Sequence, residues 1–281
     1  MDDVAPSGDL ATFAADRFSA DGRSHRVFRK GAGPAVIVIT EMPGISPMVL
    51  GFADRLVAIG CSVVLPDLYG TAGREPFGGG AVSDVLYTTR SIATGCISRD
   101  FSSFALDRTS PIAQWLRPLA RAEHQRCGGP GVGAVGMCFS GGFALAMATD
   151  PSVVAPVMSQ PGLPFPVGGR RREAVDVSSA DLDVVADRCA AEALQVMGLR
   201  FRGDPVVPEE RFAHLHRRLG DGFISVELDQ ADGRPAALDN PMLSSHHSVL
   251  TTSLDDRPGS AGRQALEQVL DFIGSRLVAH P

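Results

Sequence analysis

The stretch "GAVGMCFSGGFALA", residues 133–146, places a cysteine in a glycine-rich turn between an apolar run and an alanine-rich helical pattern. Small residues, Gly136 and Ser140, stand two positions before and after Cys138. A chain that reverses sharply from a strand into a helix needs small residues there, because larger side chains would collide with neighbouring backbone. The stretch therefore predicts a strand, a strained turn that carries Cys138, and a helix that starts at Gly141.

Strand and helix patterns alternate on both sides of this turn. Apolar runs at 34–40 and 61–67 flank a helical pattern over 45–60 that stops at Gly60. Further strand runs precede or follow helical patterns, at 153–159, 193–201 and 223–229, and an amphipathic helix is expected at 263–277. Apolar runs without alternation are typical of parallel strands covered on both faces. We expect an α/β protein with a central, mostly parallel sheet and helices on both faces, forming a single domain over residues 1–281.

The amino-acid composition argues against two classes of function, nucleic-acid binding and insertion into a membrane. The 281 residues are 44% hydrophobic, and 26 basic against 32 acidic residues give a net charge of −6, which offers no basic face to nucleic acid. No run approaches the roughly 18 apolar residues of a membrane span, and the acidic start lacks the pattern of a secretory signal. The five cysteines are odd in number and never occur as CxxC, so free thiols in the cytoplasm are expected.

Three long segments interrupt the alternation, at 70–101, 160–180 and 231–248. Long irregular segments in a compact domain are either functional or mobile loops. In an open α/β sheet, ligands bind at the loops that follow the carboxyl ends of the strands. Those of the three segments that follow strand ends could therefore bind a ligand, and a mobile loop is the alternative for each.

The motif alone leaves two interpretations of Cys138 open. One is a nucleophile on a strained elbow, where the positive end of the following helix favours the thiolate. The other is a small buried hydrophobic residue, which most free cysteines are. Other positions must decide between them.

Four motifs in order resemble the dienelactone hydrolase family of α/β-hydrolases, which use a Cys-His-Asp triad. "GMCFSGG" is similar to the family's G-x-C-x-G-G elbow, with Ser140 in place of a glycine. "TEMPG" resembles its glutamate segment, "LPDLYG" its P-D-L-Y segment, and "GDPVVPEE" its acid loop. The resemblance implies the α/β-hydrolase fold with Cys138 as the nucleophile. The change at Ser140 suggests a slightly looser elbow.

The other triad members follow in the order that this fold uses, nucleophile, acid, histidine. Asp204 comes after the apolar run that ends at Phe201, and its alternative is an ordinary turn aspartate before a proline. The downstream histidines are His214, His216, His246, His247 and His280. Only the pair in "SSHHSVLTT" stands at the loop position of the family's histidine. We prefer His247 to His246 on that resemblance alone, since hydrogen-bond reach cannot separate neighbours.

Two further features are implied by the resemblance. Glu41 would partner the thiol of Cys138 in the resting site and tune its protonation, whereas a glutamate at the end of a strand is ordinarily solvated at the rim. The oxyanion would be held by the backbone N–H groups of Met42 and Phe139.

Substrate contacts are where the chain departs from the family. Members that open a dienelactone hold its carboxylate with two arginines; Arg74 could serve as the first, and Arg99 is a further candidate from the long loop. No arginine follows His247 until Arg257, which puts the second clamp and the dienelactone substrate in doubt. Tyr69 could line the pocket or pack on its own loop.

The resulting hypothesis is a hydrolase that cleaves an ester or lactone bond of a small substrate, with a carboxylate on the substrate as one option. No metal or organic cofactor is implied, and we expect a small-molecule substrate, no nucleic-acid or membrane partner, and a monomer or small homo-oligomer. The alternatives are a thioesterase or acyl transferase on the same triad, and a catalytically silent binding protein of the same fold.

Overall fold

The computed structural model describes residues 8–75, 87, 106–234 and 245–278. Its eight strands form one sheet in the order β1-β2-β4-β3-β5-β6-β7-β8. The hairpin β1–β2 and the pair β2–β4 are antiparallel, and all other neighbours are parallel. The strands are β1 (Ala14–Ala20), β2 (Arg23–Lys30), β3 (Ala35–Ile39), β4 (Ser62–Asp67), β5 (Val132–Met137), β6 (Val153–Ser159), β7 (Val196–Phe201) and β8 (Phe223–Leu228). The predicted mostly parallel sheet is confirmed.

Helices cover both faces of the sheet. In the described part of the chain they are α1 (Pro47–Ala58), α2 (Ile112–Cys127), α3 (Gly141–Met147), α4 (Gly169–Glu173), α5 (Ser179–Glu192), α6 (Glu209–Leu219) and α7 (Ala261–Leu277). One apolar cluster joins α2, α3, α5 and α6 to the sheet, and a second joins α1 and α7 to the opposite face. The expected arrangement of helices on both faces of the sheet is therefore confirmed.

Strand β3 shows why the sequence lacks alternation. All five of its residues are buried. Ile37 and Ile39 belong to the cluster on one face, while Val36 and Val38 belong to the cluster on the other. A strand that is packed on both sides needs an apolar residue at every position, so it carries no period of two.

The hairpin β1–β2 and the helices α2, α4 and α5 were not expected from the sequence. The hairpin is largely exposed on β1, and its apolar signal is weak. Its turn did carry a signal: Asp21 and Gly22 both have positive φ, 49° and 73°, as an Asp-Gly hairpin turn requires. Helix α2 contains Pro118, a residue that argues against a helix interior.

The sheet brings four chain segments to one edge. Ile39 pairs with Gly136, Met137 with Ser159, and Ser159 with Leu199. Since these strands are parallel, the residues that follow them meet at the same carboxyl end of the sheet. No helix of the described residues is long and apolar enough to cross a membrane.

Candidate active site

Cys138 lies on a strained turn directly after β5. Its φ is +52°, a left-handed conformation that is uncommon for residues other than glycine. A Cβ atom at Gly136 would stand 2.3 Å from the carbonyl oxygen of Ser140, and one at Gly141 would stand 2.5 Å from the Cα of Pro161. Glycine is therefore required at both positions, and Cys138, which is partly buried, stands at the bend between strand and helix.

Ser140 fastens this turn. Its hydroxyl is fully buried, accepts the N–H of Met137 at 2.9 Å, and lies 2.6 Å and 3.1 Å from the carbonyl oxygens of Ile39 and Thr40. These contacts join the turn to the end of the neighbouring strand β3. The expectation of a looser elbow is wrong, because the hydroxyl adds hydrogen bonds that a glycine could not make.

Asp204 and His247 form a buried pair. Nδ1 of His247 donates to Oδ2 of Asp204 at 2.6 Å, and Oδ1 of Asp204 accepts the N–H of Val206 at 2.9 Å. Both side chains are nearly inaccessible to solvent. Burial by itself lowers the pKa of His247, but the charge of the Cys138 thiolate and the bond to Asp204 outweigh it and raise the pKa well above its usual value. The imidazole is thus held by Asp204 at Nδ1 and lies close enough to Cys138 to respond to its charge, while its buried Nε2 makes no hydrogen bond within the described residues.

His246 occupies different surroundings from its neighbour. Its ring packs on Phe201 at 5.5 Å between centroids, and its backbone N–H donates to Gln230. Burial lowers its pKa. The structure thus pairs His247, and not His246, with Asp204, a distinction that sequence spacing could not make.

Glu41 is buried at the end of β3 among polar partners. The amide Nε2 of Gln160 donates to its Oε2 at 3.0 Å, and the hydroxyl of Thr251 donates to its Oε1. Burial raises the pKa of Glu41 above its usual value, and these hydrogen bonds and the nearby His247 oppose that rise. In the described part of the chain, the Cys138 thiol is not among the hydrogen-bond partners of Glu41. Neither Gln160 nor Thr251 was predicted from the sequence.

Tyr69, Met42 and Phe139 lie around the elbow. The hydroxyl of Tyr69 donates to the carbonyl oxygen of Thr40, and its ring meets that of Phe139 edge to face at 6.0 Å. Burial is the main cause of a raised pKa for Tyr69, and the nearby Cys138 raises it further. Met42 and Phe139 each stand three residues beyond the paired Ile39 and Gly136, so their backbones lie at the same edge of the sheet.

Of the two arginine candidates, Arg74 lies within the described residues. The guanidinium of Arg74 lies 3.8 Å from the ring centroid of Tyr87. The hydroxyl of Tyr87 accepts the N–H of Thr71 and donates to the carbonyl oxygen of Pro43, the residue after Met42. Arg74 is therefore joined through Tyr87 to the loop that follows β3. Arg99 lies outside the described residues.

Arg211 is a buried residue of the site region that was not predicted from the sequence. Its guanidinium is fully buried on α6 and donates to several backbone carbonyls, including those of Ala174 and Pro164 at 2.7 Å each. Burial lowers its pKa to about 10, opposed by the carboxylates of Asp204 and Asp176. Its spacing from Leu215 and Leu219, four and eight residues on, was the available signal, because it places Arg211 on the buried stripe of the helix.

No group of three or more His, Cys, Asp or Glu residues that could hold a metal ion occurs within the described ranges. The arrangement provides a cysteine on a strained turn and an imidazole oriented by a carboxylate, with the backbones of Met42 and Phe139 at the same edge of the sheet. Those are the parts that nucleophilic acyl transfer requires.

A family model described as the dienelactone hydrolase family matches residues 25–180. This range includes Glu41 and Cys138 and ends before Asp204 and His247. No curated protein sequence matches the chain significantly.

Several solved structures share the fold. A Klebsiella pneumoniae protein described as a dienelactone hydrolase is 16% identical with a TM-score of 0.54, over 94% of this chain and 99% of that one. A dienelactone hydrolase-like promiscuous phosphotriesterase from metagenomic libraries is 17% identical with a TM-score of 0.57, over 95% and 98%. A cold-adapted esterase from an Arctic intertidal metagenomic library is 14% identical with a TM-score of 0.56, over 99% and 100%. At such identities the likeness shows the fold alone.

Proposed function

The chain belongs to the dienelactone hydrolase family and is thereby a hydrolase of the α/β-hydrolase fold, and we propose that it cleaves an ester or lactone bond of a small substrate through Cys138, His247 and Asp204. One observation carries the proposal. A buried hydrogen bond of 2.6 Å joins Nδ1 of His247 to Asp204, so Nε2 is the ring nitrogen that could exchange a proton with Cys138. The charge of Cys138 acts on this imidazole, and Cys138 stands on a turn with positive φ.

In the first half of the proposed reaction, Nε2 of His247 takes the proton of the Cys138 thiol, and the thiolate attacks the substrate carbonyl carbon. The backbone N–H groups of Met42 and Phe139 hold the oxyanion that forms. When the tetrahedral intermediate collapses, the bond to the alkoxide breaks and His247 returns the proton to it. The acyl group stays on Cys138 as a thioester.

In the second half, water attacks the thioester while His247 accepts one of its protons. The tetrahedral intermediate again places its oxyanion on the two backbone N–H groups. Collapse releases the carboxylic acid, and His247 returns the proton to the departing sulfur. Asp204 holds Nδ1–H throughout and stabilises the imidazolium, because both side chains are buried and close.

The side chains around the thiol support a substrate that is small and partly apolar. The rings of Tyr69 and Phe139 lie beside the elbow, and Arg74 is attached to the same side through Tyr87. We assign Tyr69 and Arg74 as substrate contacts, with Arg74 as the group that would attract a carboxylate. Arg99 stays a sequence-based candidate.

The test is a substrate panel of activated esters, lactones and thioesters, measured with the unmodified enzyme and with Cys138→Ala. Turnover of esters or lactones should fall by at least about 10⁴-fold in the variant, because the nucleophile is lost. Cys189→Ala serves as the matched control and should keep its turnover, since Cys189 lies within helix α5 and not at the strand ends that carry Cys138, Asp204 and His247. Cleavage of thioesters alone would favour the thioesterase alternative, and no turnover above the Cys138→Ala control would favour a binding protein.

A further inference from the structure

We propose that Gln160 is a positioning residue that couples Glu41 to the turn bearing His247, and so holds the imidazole in register with Cys138. This inference rests on the proposed function, because it assigns Gln160 a role in serving the proposed base. Gln160 would act on the imidazole indirectly, through its hydrogen bonds to Glu41 and to the histidine turn.

The backbone of Gln160 is fixed in an uncommon conformation. It is the first residue after β6, is fully buried, and has a φ of +37°. Its N–H donates to the carbonyl oxygen of Leu199 in the neighbouring strand β7 at 2.7 Å. A non-glycine residue at positive φ costs free energy that the surrounding structure must offset, and such residues cluster at functional sites.

The amide of Gln160 faces two different elements. Its Nε2 donates to Oε2 of Glu41 at 3.0 Å, at the end of β3. Its Oε1 accepts the backbone N–H of Val249 at 3.3 Å and the hydroxyl of Ser159. A single side chain therefore bridges Glu41 to the residue two positions after His247.

A second tether comes from Thr251, whose hydroxyl donates to the other oxygen of Glu41. The histidine turn is thus attached at two points, Val249 and Thr251, to the pair formed by Glu41 and Gln160. Within the turn, the backbone N–H of His247 donates to the hydroxyl of Ser253 at 3.3 Å. With both tethers made, the backbone that carries the imidazole has little freedom to move.

An amide fits this bridge, and an ionised carboxylate does not. The side chain at 160 must donate to a carboxylate on one side and accept an N–H on the other, which an ionised carboxylate cannot do. The titratable groups that face Glu41 from the surrounding elements are His247 on the histidine turn and Tyr69 after β4, with Cys138 adjacent to both. A second carboxyl at 160 would compete with Glu41 for one proton, because two like charges in a buried site disfavour each other.

The decisive variant is Gln160→Glu. Two rates are measured across pH, the alkylation of Cys138 by iodoacetamide and the turnover of an ester. Each is expressed as the ratio of the rate of the variant to that of the unmodified enzyme. At about pH 5.5 one proton shared by the two carboxyls restores a donor, so the ratio should lie within about threefold of one. As pH rises to about 8 both carboxyls ionise and repel, and the ratio should fall by about tenfold or more.

The exchange variant Glu41→Gln/Gln160→Glu is the matched control. It keeps one amide and one carboxyl at the bridge with their places exchanged, so the added pH dependence should disappear. Gln160→Met removes donor and acceptor together and should lower the rate by a similar factor at every pH. A role limited to packing would move none of these pH profiles.

A pH-independent ratio for Gln160→Glu, or an exchange variant that shows no recovery, would overturn the proposal. If the variants at 160 fail to fold, Thr251→Val tests the other tether with an isosteric change and should lower the alkylation rate by a few fold. Alkylation without any ester turnover in the unmodified enzyme would defeat the proposed function alone. Ester turnover without the pH signature would defeat the positioning role alone.

Discussion

The elbow that carries Cys138 and the turn that carries His247 reach the same edge of the sheet but are held by different means. The elbow is defined by close backbone approaches at Gly136 and Gly141, and by the hydroxyl of Ser140, all within a few residues of the nucleophile. The histidine turn is held by Asp204 and by the Glu41–Gln160 bridge, whose members are distant in sequence.

The elbow depends on steric contacts between residues close in sequence, whereas the histidine turn depends on polar contacts between residues far apart in sequence. A Cβ at Gly136 would meet the same turn, so the small residue is required by the turn itself. The pairing of His247 with Asp204 spans 43 positions, and the bond between Glu41 and Thr251 spans 210. We therefore expect variants at the glycines of the elbow to act mainly through folding and histidine-side variants mainly through chemistry.

The largest effect is expected on the histidine side. His247→Ala should lower kcat/KM for the proposed substrates by about 10³–10⁴-fold, because the base and its orientation are lost. His246→Ala is the matched control: its ring packs on Phe201, so it should lower thermal stability while the turnover of folded protein stays within about threefold. Equal losses of turnover in the two variants would contradict the assignment.

An elbow variant should show the opposite profile. Gly136→Ala would place a Cβ 2.3 Å from the Ser140 carbonyl oxygen, so the free energy of unfolding should fall by about 1–3 kcal/mol or more in urea denaturation. Gly169→Ala, at a position where a Cβ meets nothing within 4 Å, should stay within about 0.5 kcal/mol. A Gly136→Ala protein of undiminished stability would remove the steric account of the elbow.

Asp176 is a titratable group beside α3, the helix that follows the elbow. Its carboxyl is buried, accepts the Ser110 hydroxyl, and packs against Gly142 of α3. Burial raises the pKa of Asp176 to about 7. Since the unfolded value is about 3.9, the folded state holds the proton more tightly, and this stabilisation is lost as pH rises from about 4 to 7.

The unmodified protein should therefore lose stability as pH rises from 4 to 7, and Asp176→Asn should not show this loss. The free energy of unfolding of the variant should rise relative to that of the unmodified protein by at most about 1.4 kcal/mol per pH unit over this range. Denaturation midpoints in urea at half-unit pH steps would measure the difference. Parallel stability profiles for the two proteins would show that Asp176 does not titrate in this range.

The sequence predicted what local patterns encode. Six strands, from β3 to β8, were visible as apolar runs, and Cys138 stood out because the small residues of its turn are adjacent in the chain. The hairpin β1–β2 was missed because its exposed strand lacks an apolar face, although Asp21-Gly22 marked its turn.

The polar framework of the site was not visible in the sequence. Gln160 and Glu41 are 119 residues apart, and no period or motif relates them. Arg211 stands on a helix rich in charged residues, where a solvated arginine is the ordinary expectation, yet it is fully buried. The contact between Glu41 and Gln160 is decided by which strand ends meet, so it follows from the topology of the sheet and not from local spacing.

Site-resolved alkylation of the cysteines at about pH 6.5 would show whether His247 activates Cys138. Cys138 should react with iodoacetamide at least about 100-fold faster than Cys61, whose pKa burial raises to about 11, and His247→Ala should remove most of that advantage. Uniformly slow labelling of the cysteines, or a Cys138 rate that His247→Ala leaves unchanged, would contradict the account.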